Sequence, residues 1–313
     1  MADEHWERTL LEQLARDALD ERRRARRWGI LFRSLMFGLL FAALLAVLVL
    51  IGARERACID KCTALVEVRG ELDASGRSSA DRVNAGLQAA FKNAGTKGVV
   101  VRINSPGGSP VQAGQIYDEM RRLRAAHPDI PLYVVVEEIA ASGGYYVAAA
   151  ADRIFVDKAS VIGSIGVIME GFGFTGAMEK IGVERRVITA GENKAFLDPF
   201  EPVNPRQRTY VQEMLDDIHL QFIAAVKEGR GARLKEQPGM FSGLVWNGKR
   251  AIDLGLADAL GSLDFVAREV VKAEEIVDFT PEDNIAERVA RRFGATLGGQ
   301  LRMALRETWG PLR

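Results

Sequence analysis

One stretch constrains this chain more than any other. Residues 29–53 read GILFRSLMFGLLFAALLAVLVLIGA, and no charge occurs from Leu35 to Ala53. With Trp28 to Ser34 added, the run is long enough for a helix to cross about 30 Å of hydrocarbon. Five arginines (Arg22, Arg23, Arg24, Arg26 and Arg27) precede it, Arg33 can reach back to join them, and only Arg54, Arg56 and Lys61 follow closely. That bias predicts residues 1–27 in the cytoplasm, a transmembrane signal-anchor over 28–53, and the rest of the chain across the membrane. A cleaved signal peptide is the competing reading, with Ile51 and Ala53 before the cleavage point. The apolar run exceeds the usual hydrophobic region of such peptides, and the segment before it is long.

The net charge of zero is a cancellation. Residues 1–56 sum to +2, residues 284–313 to +4, and the middle to −6. No basic excess marks the 54–283 region for nucleic acid, so no nucleic-acid partner is expected. Three histidines and two cysteines leave little material for a metal site, and no cofactor is expected. Cys58 and Cys62 are four apart, which leaves open a local disulfide, a bridge to another subunit or two idle thiols.

Beyond the anchor, apolar β-branched runs alternate with helical periodicity. Strands are predicted over 64–68, 98–103, 131–136, 153–156, 164–169 and 186–189. Helices are predicted over 79–93, 111–126, 145–151 and 205–229. Uninterrupted apolar strands between helices predict a covered, largely parallel sheet, hence an α/β domain over 54–283. Residues 284–313 place Ile285, Val289, Phe293, Leu297, Leu301 and Leu305 four apart among arginines, a basic amphipathic pattern weakened by Gly294, Gly298 and Gly299.

Two glycine-bearing turns follow buried strands. Asn104-Ser105-Pro106-Gly107-Gly108-Ser109 stops one strand before a helix, and its backbone N–H groups suit an anionic oxygen. Ala140-Ala141-Ser142-Gly143-Gly144-Tyr145-Tyr146 follows the next strand and places Ser142 at the mouth of a short helix, with the Gly143 N–H beside its hydroxyl. An ordinary turn and a helix-capping serine are the plain readings. The two turns in one sheet favour an oxyanion hole beside a serine nucleophile. Such a serine needs a base. His5 lies before the anchor, His127 leaves a helix in a His-Pro loop, and His219 sits on the long helix, so no histidine offers itself. Lys194, in GENKAFLDPF, is flanked by apolar residues that would desolvate an ammonium; a solvated surface lysine is the alternative. Gly171-Phe172-Gly173-Phe174-Thr175-Gly176 fits the dinucleotide spacing formally, but no βαβ unit surrounds it.

RINSPGGSP, AASGGYYVAAAADRIFVDKASVIGSIGVIM and GENKAFLDPF, in this order and spacing, resemble the signal peptide peptidase A family of bacterial serine peptidases. VWNGKRAIDLGLADALGSLDFV looks like that family's C-terminal portion, and the resemblance runs from about residue 63 to about 275. It implies a Clp-protease/crotonase-like fold of stacked ββα units, in the short form with one catalytic domain per chain. It implies a Ser/Lys dyad of Ser142 (nucleophile) and Lys194 (general base), with Ser164 orienting the lysine. Gly108 and Gly143 match the oxyanion-hole positions, and Gly107, Gly144 and Gly163 the substrate groove. It further implies a homo-oligomeric ring at the bacterial inner membrane with the dyad shared between subunits. The implied substrates are remnant signal peptides and other hydrophobic membrane-proximal segments. The resemblance assigns nothing to residues 1–27, the Cys58/Cys62 pair or 284–313. The rival readings are a crotonase-like acyl-thioester enzyme, with Glu137 or Glu138 as the reacting carboxylate, and an inactive membrane scaffold.

Overall fold

The structure, a computed structural model, describes residues 26–45, 58 and 60–281. The chain divides into two units, Met1–Arg56 and Ala57–Arg313. In the first, α1 (Arg26–Leu45) is a helix of 20 residues, long and apolar enough to cross a membrane. Residues 46–53 of the expected span, most of 1–27 and the whole of 284–313 lie outside the described residues.

The second unit is built as β1 (Cys62–Arg69), α2 (Ala80–Lys92), β2 (Thr96–Ser105), α3 (Pro110–Ala126), β3 (Leu132–Ala141), α4 (Gly143–Ala148), β4 (Arg153–Val156), β5 (Val161–Gly163), α5 (Thr175–Lys180), α6 (Pro205–Arg230), β6 (Val245–Asn247), α7 (Gly248–Asp253), β7 (Ala259–Leu260) and β8 (Ile276–Asp278). The eight strands among the described residues form one sheet, β6-β5-β3-β2-β1-β8, with β4 beside β3 and β7 beside β4. Every pairing is parallel except β5–β6. The parallel register follows from helical crossovers, since a hairpin cannot return a strand in the same direction.

Alternation along the central strands sorts the two faces. Val99, Val101 and Ile103 on β2, and Val134 and Val136 on β3, pack in the main core with Leu87, Ile116 and Met120 from the helices. Val100 and Val135 turn the other way, onto Phe155 and Val266. Further along that second face the residues become charged. Arg69 pairs with Glu67 and Glu137 at 2.9 Å each, and Arg102 pairs with Glu67.

At the far end of the domain α6 is clamped by a buried ion pair. Arg230, fully buried, donates to both carboxylate oxygens of Asp258 at 2.9 Å and to the Gly255 carbonyl at 2.8 Å. Burial pushes the Asp258 carboxyl up, but the Arg230 hydrogen bonds and charge and the Ile154 N–H outweigh it and hold it below the ordinary carboxylate value. Cys58 and Cys62 form a disulfide, which settles the open choice in favour of the local bridge.

Two expected strands are absent. Residues 164–174 have no regular structure beyond β5, and neither do 184–189. Val187 and Ile188 have β-branched side chains but no neighbouring strand to pair with, and Ile188 is fully exposed. β-propensity expresses itself only against a partner.

Candidate active site

The site is assembled where β2 and β3 end. At the β2 exit, Gly107 (φ +110°) and Gly108 (φ +137°) adopt backbone conformations that L side chains rarely reach. Leu72 continues past β1 to form a parallel bridge with Gly108: its N–H donates to the Gly107 carbonyl and its carbonyl accepts from the Ser109 N–H, both at 2.8 Å. A parallel bridge uses the groups on either side of the central residue, so the N–H of Gly108 itself faces away from Leu72. Ser109 then caps α3, accepting from the Gln112 N–H, with Pro110 in the first turn.

At the β3 exit, Ser142 has φ 51° and ψ −126°. A non-glycine residue there carries strain of about 1–3 kcal/mol. The conformation is imposed from both sides. The Ser142 N–H donates to the Gly163 carbonyl at 2.8 Å, and the Ser142 carbonyl accepts from the N–H groups of Tyr145 and Tyr146 at 2.9 and 3.0 Å. Although Ser142 occupies the N-cap position of α4, its side chain makes no capping hydrogen bond. The plain reading as a helix cap therefore fails, and the hydroxyl is left for something else.

The two turns are in contact. A Cβ on Gly107 would meet the Ser142 Cβ at 2.7 Å and the Gly143 nitrogen at 2.8 Å; one on Gly143 would lie 3.4 Å from the Gly108 nitrogen. Glycine is required at 107 because any side chain would occupy the space of the serine. Gly144 packs equally closely, with Ser105 O 2.8 Å from its would-be Cβ. Ser142, Gly143 and Gly108 line a cavity of about 90 Å³ together with Tyr146, Ile218 and Phe222. Tyr146 stacks on Phe222 at 4.8 Å, and burial pushes its phenol up. Tyr146 belongs to the Ser142 turn itself, whereas the only sequence signal for the two residues from α6 is their helical spacing.

Gly163 and Ser164 stand alongside through the β3–β5 pairing, which sets Ala141 opposite Gly163. Gly163 (φ +111°) lies against the Trp246 ring, and Ser164 (φ 52°) donates its N–H to the Leu244 carbonyl at 2.7 Å.

Lys194 is not brought to this cavity. It lies in a turn, is exposed, and lines a separate hollow of about 420 Å³ with Arg185, Thr189, Phe196 and Asp198. The expected desolvation by its apolar neighbours is thus not seen: α6 touches the loop through Gln207, which accepts the Leu197 N–H, and Tyr210, edge-on to Phe196, but Lys194 itself stays exposed. Among the described residues no hydrogen bond joins Lys194 to Ser142 or Ser164. His219 does not substitute for it, because its Nε2 lies 3.1 Å from the Ile165 carbonyl. Glu137, held by Arg69 and Arg102, lines another cavity, and Glu138 is exposed, so neither carboxylate of the acyl-thioester alternative attends Ser142. Gly171, Gly173 and Gly176 have open space around them and precede or enter only the six-residue α5, which is no dinucleotide site.

A strained serine on a strand-to-helix elbow, facing the amides of a neighbouring glycine turn on a parallel sheet, defines a serine-peptidase domain of the Clp type. Comparison with known proteins agrees. The Clp protease family model matches residues 54–164 and that of peptidase family S49 matches residues 124–277, so together they span the sheet. Residues 124–277 thus match peptidase family S49, and relatives named as a putative signal peptide peptidase SppA of Enterococcus faecium and Protease 4 of Haemophilus influenzae support the signal peptide peptidase A family. The chain is 32% identical over 225 residues to Protease 4 of Haemophilus influenzae, covering 69% of this chain and 35% of that protein. To "Serine protease SPPA, chloroplastic" of Arabidopsis thaliana it is 28% identical, over 68% of this chain and 32% of the relative. A protein of Brucella melitensis named Na(+)/H(+) antiporter NhaA is 47% identical over 177 residues, 56% of this chain but 24% of that protein. The chain thus spans about a quarter to a third of the length of these last three relatives. A serine-to-alanine mutant of a membrane-bound stomatin-specific protease superposes over 71% of this chain at 12% identity with a TM-score of 0.41.

Proposed function

We propose that this chain is a membrane-anchored serine endopeptidase in which Ser142 attacks the scissile carbonyl and the N–H groups of Gly108 and Gly143 receive the oxyanion. The observation that carries this reading is the uncapped, strained Ser142 with the Gly107-Gly108 turn packed directly against it. Strain at a positive φ is retained where the surrounding structure over-determines it, and here it projects the hydroxyl into a cavity. Lys194 is the general base, oriented by Ser164. Because Lys194 and Ser142 line different cavities of one chain, the lysine reaching a given serine comes from a neighbouring subunit of a homo-oligomeric ring. Bringing that loop into an interface covers Lys194 and takes its ammonium out of bulk water.

The reaction forms an acyl-enzyme on Ser142: its proton passes to Lys194 and on to the leaving amine, and a water activated by the same lysine then releases the acid. Gly107, Gly144 and Gly163, expected in the substrate groove, instead pack against Ser142, Ser105 and Trp246 of the same chain, and the cavity that would receive the substrate beside Ser142 is lined by Gly108, Gly143, Tyr146, Gly166, Ile218 and Phe222. The substrates are remnant signal peptides and other hydrophobic membrane-proximal segments. The α1 helix anchors the chain in the bacterial inner membrane, and the domain works on the outer side, where a Cys58–Cys62 disulfide is stable.

The test is active-site labelling of the detergent-solubilised full chain with a fluorophosphonate. Stoichiometric modification at Ser142, lost in Ser142→Ala, is expected. An unlabelled, correctly assembled protein would sink the peptidase reading.

A further inference from the structure

We propose that Ser105 is a positioning residue that holds the oxyanion turn in register with the nucleophile elbow. The proposal rests on the peptidase reading above and adds a residue to it. Ser105 is the last residue of β2 and is completely buried. It touches both turns at once. Its Oγ accepts the N–H of Gly107 at 3.1 Å, the peptide immediately before the proposed oxyanion donor. Its carbonyl oxygen and Cβ lie 2.8 and 3.3 Å from where a Cβ on Gly144 would stand, so it forms the surface on which the start of α4 rests. The strand pairing places it opposite Ala140, two residues before Ser142, and the β2–β3 register shifts between Ile103 and Ser105. Beyond that shift the sheet no longer dictates where the chain after β2 goes.

The physical argument concerns how a two-glycine turn keeps one orientation. Gly107 and Gly108 have no Cβ to restrict them, so the peptide between them can rotate with little steric cost. Two contacts stop that rotation: the Leu72 bridge on one side and the Ser105 hydroxyl on the other. Leu72 holds the Gly107 carbonyl and the Ser109 N–H; Ser105 holds the Gly107 N–H. With both in place, the Gly108 N–H is the group left facing the Ser142 cavity. Without the hydroxyl, Gly107 has a buried donor with no acceptor, and the turn rotates to find one. An oxyanion donor acts only if it is fixed before the charge develops.

Kinetics of the full chain with Ser105→Ala and Ser105→Cys test this, the latter keeping the shape but offering a weak acceptor. Ser105→Ala should lower kcat about 10- to 100-fold with KM changed by less than about twofold. Affinity for a peptide aldehyde, whose tetrahedral adduct places an oxygen in the oxyanion position, should fall by the same factor as kcat/KM. Ser105→Cys should lie between. Hydrogen exchange at the Gly107 amide should quicken in Ser105→Ala. Wild-type kcat in Ser105→Cys, or an aldehyde affinity that does not follow kcat/KM, overturns the proposal; the cysteine variant decides alone if the alanine variant does not fold. Exchange at Gly107 needs no substrate. An unlabelled Ser142 therefore refutes the peptidase reading, whereas unchanged Gly107 exchange in Ser105→Ala refutes the role given to Ser105.

Discussion

Replacing Gly108 by alanine is the sharpest probe of the turn geometry, because backbone conformation and space both oppose it. Its φ of +137° is one an L side chain rarely adopts, which costs about 1–3 kcal/mol. The added Cβ would overlap the Leu72 carbonyl oxygen and approach the Leu72 nitrogen at 2.8 Å. Both are backbone atoms held in the bridge and cannot swing aside, so overpacking adds about 1–3 kcal/mol. The sum, roughly 2–6 kcal/mol, corresponds to a Tm lowered by roughly 5–20 °C for a domain of this size. The folded fraction should hydrolyse a peptide substrate about 100-fold more slowly, because the bridge that aims the Gly108 N–H is broken. Gly114→Ala is the matched control. It lies in α3, its Cβ would meet nothing within 4 Å, and the substitution should stabilise by about 0.5–1 kcal/mol without changing turnover. Thermal denaturation and peptide hydrolysis of both variants in detergent decide the matter. A Gly108→Ala protein with wild-type Tm would refute the strain argument, and one that is destabilised but fully active once folded would remove this turn from the site.

The remaining expectations concern the shared dyad and the α6 clamp. Ser142→Ala and Lys194→Ala should each be inactive, while co-assembled mixtures of the two should recover part of the activity. Lys194→Arg by itself should be as inactive as Lys194→Ala, since a guanidinium stays protonated; mixed Ser142→Ala and Lys194→Ala rings that remain dead would place the dyad within one chain. Asp258→Asn should cost about 3–5 kcal/mol at neutral pH, because Arg230 is left as a buried charge without its counter-ion. The folded carboxyl is held below its ordinary value of 3.8, so its contribution is complete above that pH and is lost as pH falls through the folded value. Urea midpoints of wild type and variant should therefore keep a constant gap from pH 7 down to about 4.5 and converge only below; a gap already closing by pH 5 would contradict the assignment.

Much of this was legible in the residues, because it is local. The apolar run beginning near Trp28 needs no partner to be read, and α1 occupies the part of it that the structure describes. Buried strands alternating with helical spacing required a parallel sheet, since only crossovers join parallel neighbours. Glycine pairs after two of those strands announced backbone that other residues cannot adopt, and Ser142 stood in one of them. Tertiary structure decided what depends on residues far apart in sequence. It turned the Ser142 hydroxyl away from capping, set Gly108 against Gly143, and left Lys194 exposed at a hollow separate from Ser142. It also denied strands to 164–169 and 186–189, where Val187 and Ile188 have no partner strand among the described residues, and tied His219 to a carbonyl. A propensity or a glycine is a property of one position. A facing pair of amides, a buried hydroxyl such as that of Ser105, and the burial of a lysine are properties of what the fold brings next to it.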